Sequence, residues 1–266
     1  MWLGKIIAGA IGFATAGIIG LIIGIIVGHY FDRGLANTFN PASAEQRKAI
    51  EQVFFKTTFL LMGKLAKADG RISEEEIALT ERLMQDMGLH SAHKQEAIAL
   101  FKQGATPECS ISEQLQQFNQ QCRRYPNLSR QLLNYLLSLA LADGQLSSQE
   151  ESLLKEIAQS LGIAPALFEQ LLRMIRAQSQ FRGYQQQGQG DSTSQSELAT
   201  AYDALGVSPQ ATDSEVKKAY RKLMSENHPD KLMGQGVPED MIKLATERAQ
   251  EIQTAYDLIS KHRKKS

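Results

Sequence analysis

Net charge is the first thing this chain lacks. Its 29 lysines and arginines cancel its 29 aspartates and glutamates. Whole-molecule attraction to a polyanion therefore has no source, so no nucleic-acid partner is expected and charge acts only through local patches. Cysteine is nearly absent too. Cys109 and Cys122 are the only two, too few for a four-cysteine zinc site or a multi-bridge secreted scaffold, which places the bulk of the chain in a reducing compartment. No segment alternates convincingly as a strand, and between Ile6 and Gly28 there is no charged residue at all. What remains is 266 residues with 42% hydrophobic and 22% charged content, the profile of an ordered protein with room for one large domain or two small ones on a tether.

The uncharged run is dominated by Ile, Gly, Ala, Leu and Val. As a helix it would span about 34 Å, against a hydrocarbon core of about 30 Å, and in lipid only a helix satisfies its own backbone. Trp2 precedes it and Tyr30 and Phe31 follow it as interfacial aromatics. A cleaved signal peptide would have a shorter apolar region, a more basic start than Lys5 alone and an A-x-A pattern, and a buried core helix would carry a polar face. The reading is a transmembrane helix over 6–28 after a short extracytoplasmic segment 1–5. Arg33, Arg47 and Lys48 outnumber Lys5, which predicts that the C-terminal side is cytoplasmic. Ala8, Gly12, Ala16, Gly20, Gly24 and Gly28 recur every four residues, a face on which two helices approach closely, so a homodimer through this segment is expected.

The stretch 43–182 reads as about seven helices. Starts are marked by Ser43 with Gln46, Ser73 with Glu76, Ser91, Ser147 with Glu150, and Pro165; stops by Gly70, Gly88, Gly104, Gly144 and Gly162. Two segments repeat one design. Ala68-Asp69-Gly70-Arg71-Ile72-Ser73 matches Ala142-Asp143-Gly144-Gln145-Leu146-Ser147, and the match runs on through Glu76/Glu150, Leu79/Leu153, Leu83/Ile157 and Gly88/Gly162. Two such hairpins bury their apolar faces against each other in a bundle. This resembles the TerB-like, tellurite-resistance-associated helical domain, which implies a metal candidate set of Asp69, Glu74, Glu75, Glu76, Asp143, Glu150 and Glu151. Turn and capping chemistry already accounts for each of these acids, and an EF-hand's alternating ligands are missing, so no metal or other cofactor is expected. Between Gly183 and Ser196 the chain is Gln, Gly and Ser with one Tyr, one Asp and one Thr, a flexible linker over 183–196 with a reach of about 20 Å. The domain that follows, 197–266, is expected to be tethered rather than fixed.

Within that last domain, Leu198–Gly206 is a short helix and Thr212 with Glu215 opens a second that runs to Asn227. Val216, Ala219, Tyr220, Leu223 and Met224 share one side of it, and Lys217, Lys218, Arg221 and Lys222 the other. Pro229 disfavours helical geometry at His228 and ends it. A loop with Gly234 and Gly236 follows, then a third helix from near Pro238 carrying Met241, Leu244, Ile252, Ala255, Tyr256 and Ile259 inward. An exposed His228-Pro229-Asp230 turn therefore sits between two long helices, with a basic face leading to it.

This arrangement resembles the J domain of the DnaJ (Hsp40) family, through Tyr202-Asp203-Ala204-Leu205-Gly206-Val207, Lys217 to Lys222, the tripeptide at 228–230, and Ile252 with Ala255-Tyr256. The resemblance implies an Hsp70 partner whose ATP hydrolysis is stimulated by His228, Pro229 and Asp230, with Lys217, Lys218, Arg221 and Lys222 attracting its acidic surface. The segment Lys231–Gly236 departs from the family pattern, and Ala249 stands where the family often has Phe. Taken whole, this all-α chain is similar to the membrane-anchored DnaJ-like co-chaperones of Gram-negative bacteria, which implies a single-pass protein of the inner membrane, its domains in the cytoplasm and DnaK as partner. The alternative is a membrane-anchored sensor or scaffold acting through the TerB-like domain by metal or partner binding. An enzyme is not expected, since no nucleophile, metal set or phosphate loop accompanies His228 and Asp230.

Overall fold

Local chain chemistry produces helices wherever the structure can be followed. A computed structural model describes residues 41–265 apart from 69, 71–73, 143 and 187–194, and among the described residues every regular element is helical. The segment 6–28, with Gly12, Ala16, Gly20, Gly24 and Gly28, lies outside them, as do Asp69 and Asp143. Among the described residues no helix is long and apolar enough to cross a membrane.

The helices before residue 187 are α1 (Pro41–Ala66), α2 (Glu74–Met87), α3 (Ser91–Gly104), α4 (Ile111–Cys122), α5 (Pro126–Ala140), α6 (Ser148–Ser160) and α7 (Pro165–Gln186). Ser147 and Glu150 form a reciprocal capping box on α6. Other starts differ from the sequence reading. Ser43 falls inside α1, and Ser91 is the first residue of α3, with His90 extended at the cap position and no side-chain cap bond.

At the centre runs α5. Leu128, Leu132, Leu133, Leu136 and Leu137 are fully buried, each contributing about 2 kcal/mol of transfer free energy. Tyr135 stands edge-on to Phe54 of α1, and Phe118 of α4 tilts against the same ring. Cys122 is buried in this core, which pushes its thiol up to about 12 and keeps it protonated.

Glycine serves two different ends here. Gly70, Gly88, Gly144 and Gly162 have φ of +99°, +92°, +82° and +72°, the left-handed conformation expected of helix stops. Gly104 does not. It ends α3, but a Cβ there would lie 1.9 Å from the Leu60 carbonyl oxygen, and one on Gly63 would lie 1.9 Å from the Phe101 oxygen. These two glycines let α1 and α3 cross with their backbones in contact.

The later elements are α8 (Gln195–Leu205), α9 (Asp213–Glu226), α10 (Pro229–Gln235), a 3-10 turn (Glu239–Met241) and α11 (Ile242–Lys265). The stretch read as a loop after the His-Pro-Asp turn is thus α10, because Pro229 ends one helix and also pre-sets the first residue of the next. α8, α9 and α11 share a core of Ala201, Leu205, Val216, Ile252, Ala255 and Ile259.

From Ile50 onward the chain forms one compact unit. The terminal domain, expected to be held by its tether alone, packs on the bundle. Ala177 of α7 joins the α8–α9–α11 core, and Leu232, Val237, Met241, Leu244 and Ala245 are buried in the core of the bundle. With Ile242, six apolar side chains, four of them at or before the start of α11, thus find their burial across the domain boundary rather than within it.

The two roles of glycine separate under substitution. Gly104→Ala is expected to lower stability by about 3 kcal/mol through the collision with Leu60, and Gly162→Ala, which meets nothing within 4 Å, by about 1 kcal/mol through its backbone conformation alone. Urea unfolding of the two variants checks the order, and the reverse order would contradict the close crossing.

Candidate functional site

The site is the junction of α9 and α10. Thr212 and Glu215 cap the start of α9, the Glu215 amide donating to Thr212 Oγ1 at 3.3 Å and the Thr212 amide to Glu215 Oε2 at 2.7 Å. The bonds its carboxylate accepts from the Thr212 amide and from Thr212 Oγ1, the latter at 2.8 Å, hold the Glu215 carboxyl below its ordinary range. Val216 is buried; Tyr220 stacks on Tyr256 of α11 with ring centroids 4.2 Å apart. Lys217, Lys218, Arg221 and Lys222 are all exposed, as the helical spacing predicts.

The helix stops where Asn227 turns its side chain back, Nδ2 donating to the Leu223 carbonyl at 2.9 Å. His228 is extended, with φ −67° and ψ 125°, as a residue before proline is driven to be. Pro229 is the first residue of α10, Asp230 lies in its first turn, and Gly236 closes it with φ 102°. His228 and Asp230 are exposed and Pro229 is half-buried. Lys231 Nζ reaches back to Ser225 Oγ at 3.0 Å, bridging the junction. The seven predicted residues of the terminal domain therefore lie on one helix and the junction that ends it, with all six charged or titratable members open to a partner.

Three groups of contacts that sequence reasoning missed hold the terminal domain together and against the bundle. Arg263 near the end of α11 donates to Tyr202 Oη at 2.9 Å, Asp213 Oδ1 at 2.7 Å and the Ala211 carbonyl at 2.7 Å, tying both ends of the terminal domain together. α5 carries Asn127, Gln131, Asn134 and Ser138 in one line along a leucine-rich helix. Asn127 and Gln131 bond to Glu226, just ahead of the tripeptide, and Arg248 of α11 donates to the Asn134 carbonyl at 2.9 Å and to Ser138 Oγ. Tyr135 Oη donates to the Met241 carbonyl at 2.7 Å, and burial pushes that hydroxyl up so that its proton stays. The signal was a polar line at i, i+4, i+7 and i+11 on a leucine-rich helix.

The third is Asp240. It accepts from the His90 amide at 3.3 Å, and its carboxylate lies 2.6 Å from His93 Nδ1 and 3.1 Å from His90 Nδ1. A carboxylate from the terminal domain thus occupies the N-terminus of α3, where Ser91 was expected to serve, and the helix dipole favours it there. Burial pushes the Asp240 carboxyl up, but the hydrogen bonds from His93 and the His90 amide outweigh it and hold the group below its ordinary value of 3.8.

Glu150 is engaged in its capping box and Glu151 in an ion pair with Lys155. Among the described residues no three His, Cys, Asp or Glu gather in a way that could hold a metal ion.

Comparison with known proteins now adds to this geometry. The model of the tellurite resistance protein TerB matches residues 56–173, that of the DnaJ domain residues 200–266, and that of the co-chaperone DjlA transmembrane domain residues 1–38. A co-chaperone protein DjlA from Coxiella burnetii is 43% identical over 98% of this chain and 98% of its own. Those of Escherichia coli O157:H7 and Legionella pneumophila are 39% and 37% identical, over 98% and 97% of this chain and 97% and 94% of their own. The chain belongs to the DjlA co-chaperone family. As a DjlA-family member it is a membrane-anchored bacterial J-domain co-chaperone, and the α9–α10 junction lies inside its DnaJ-domain match. No solved structure matches it at a significant level.

A carboxyl held below its ordinary value contributes stability that is complete above that value and is lost as pH falls through the folded one. Asp240→Asn is therefore expected to lower the stability of the chain by about 1 kcal/mol at pH 6, with the gap to the parent closing below pH 3.8. Chemical unfolding of both proteins at pH 6 and pH 3 measures it; an equal gap at both would show that the charge of Asp240 is not what is lost.

Proposed function

We propose that this chain binds an Hsp70 of the DnaK type and stimulates its ATP hydrolysis through His228, Pro229 and Asp230. The observation that carries this reading is the exposure of His228 and Asp230 at a backbone junction fixed by Pro229, at the end of a helix whose outer face is cationic. Lys217, Lys218, Arg221 and Lys222 draw in an acidic partner surface. The His228 ring and the Asp230 carboxylate then form the hydrogen bonds and the charge pair that signal to the ATPase. The chain acts on a partner's active site and is a regulator rather than an enzyme.

The excess of Arg33, Arg47 and Lys48 over Lys5 supports an orientation with the N-terminus in the periplasm and the folded domains in the cytoplasm, on the side that holds ATP. Self-association of the anchor through Gly12, Ala16, Gly20, Gly24 and Gly28 pairs J domains at the membrane and raises their local concentration near membrane clients.

Steady-state ATP turnover by a bacterial Hsp70 is expected to rise when the full-length, detergent-solubilised chain is added, and to stay at the basal rate with His228→Gln. Equal stimulation by both would sink the role of the tripeptide. In a membrane two-hybrid assay, Gly20→Leu with Gly24→Leu is expected to cut the self-association signal of the anchor severalfold, because two Leu side chains hold the backbones apart. An undiminished signal would remove the dimer.

A further inference from the structure

We propose that Asn127, Arg130 and Gln131 of the TerB-like domain are positioning residues for the His228-Pro229-Asp230 motif, acting by holding both of its flanks. This rests on the functional reading above. Before the motif stand Glu226 and Asn227; α10, whose first two residues are Pro229 and Asp230 of the motif, runs on from it to Gln235. Asn127 Nδ2 donates to the Glu226 carbonyl at 3.1 Å and to Gln235 Oε1 at 3.1 Å, so one amide bridges the two flanks. Gln131 Nε2 donates to the Glu226 carbonyl at 3.2 Å and to Asn227 Oδ1 at 3.3 Å, and Arg130 pairs with the Glu226 carboxylate.

Burial makes these bonds consequential. Asn127 is 9% exposed and Gln131 2%, so if the terminal domain moved away while they stayed covered, their donors would lack partners. α10 adds a second argument. A helix of seven residues does not stand alone in water, and Leu232 and Val237, which anchor this one, are buried in the core of the helical bundle. The conformation that follows Asp230 is therefore set by the neighbouring domain.

The same contacts leave the motif open. None of them reaches His228 or Asp230, and the cationic face of α9 is exposed throughout. An occluding latch would cover one of these; the bundle supports the motif from behind instead. A junction already held at both flanks loses less conformational freedom when a partner binds, so the gain appears in affinity.

The test titrates full-length chain against a bacterial Hsp70 and reads both the half-maximal concentration and the maximal rate of ATP hydrolysis. Asn127→Ala and Arg130→Glu are each expected to raise the half-maximal concentration about fivefold with the maximal rate unchanged. Arg130→Glu combined with Glu226→Arg, which rebuilds the pair with its charges exchanged, is expected to restore it. Far-UV circular dichroism confirms folding, and Asn127→Ala, which keeps the apolar face of α5, decides the matter if Arg130→Glu does not fold. Unchanged half-maximal concentrations, with His228→Gln still inactive, overturn the positioning role and leave the functional reading intact. Stronger stimulation by the variants overturns it in favour of occlusion. If the unsubstituted chain fails to stimulate, the functional reading falls and this inference with it.

Discussion

The buried amide donors of Asn127 and Gln131 on α5 need partners, and the terminal domain supplies them. α5 is the most deeply buried helix of the bundle, yet one line along it is polar: Asn127, Gln131, Asn134 and Ser138. A covered polar group without a hydrogen bond costs more than the bond returns when made. Residues 226–248 bond to the side-chain amides of Asn127 and Gln131, the backbone carbonyl of Asn134 and Ser138 Oγ, while Gln131 Oε1 and Asn134 Oδ1 accept no hydrogen bond among the described residues. Arg130 to Glu226 and Tyr135 to Met241 join the same seam. Apolar burial of Leu232, Val237 and Met241 reinforces the same seam without directional preference. The hydrogen bonds select the register, because amide donors and carbonyl acceptors meet in few arrangements.

At the other end of that seam the constraint is a single ring. Proline at 229 excludes helical geometry one residue earlier and favours it from its own position onward. One helix must end and another must begin with His228 extended between them. That is why a histidine and an aspartate two residues apart both face solvent. Electrostatics adds range rather than geometry: four cations on α9 act over about the 8–10 Å that physiological salt permits.

Much of this was legible in the chain. The seven helices of the bundle, the capping boxes at Thr212 and Ser147 and the left-handed glycines at 70, 88, 144 and 162 follow from interactions within a few residues, which is all that a local pattern encodes. The cationic face of α9 and the exposed tripeptide follow from the 3.6-residue period and from Pro229. Gly104 shows the limit. Its sequence context matches that of the other stops, but its reason is the backbone of Leu60, remote in the chain. Ser91 shows it again, displaced from its capping role by Asp240. The loop that proved to be α10 lacked only recognition that a proline ending one helix can open the next.

The sequence by itself therefore determined the helical class, those helix ends that capping boxes and left-handed glycines mark, and the chemistry of the His-Pro-Asp junction, since each depends on backbone geometry and periodicity over a few residues. Tertiary structure alone decided that the J domain lies against the TerB-like bundle, that Asp240 caps α3 and that α5 grips both flanks of the motif. Those contacts join residues about 95 to 150 positions apart. A polar line on a leucine-rich helix announces that a partner is required, but only the folded chain, by bringing a matching set of donors and acceptors to it, specifies which.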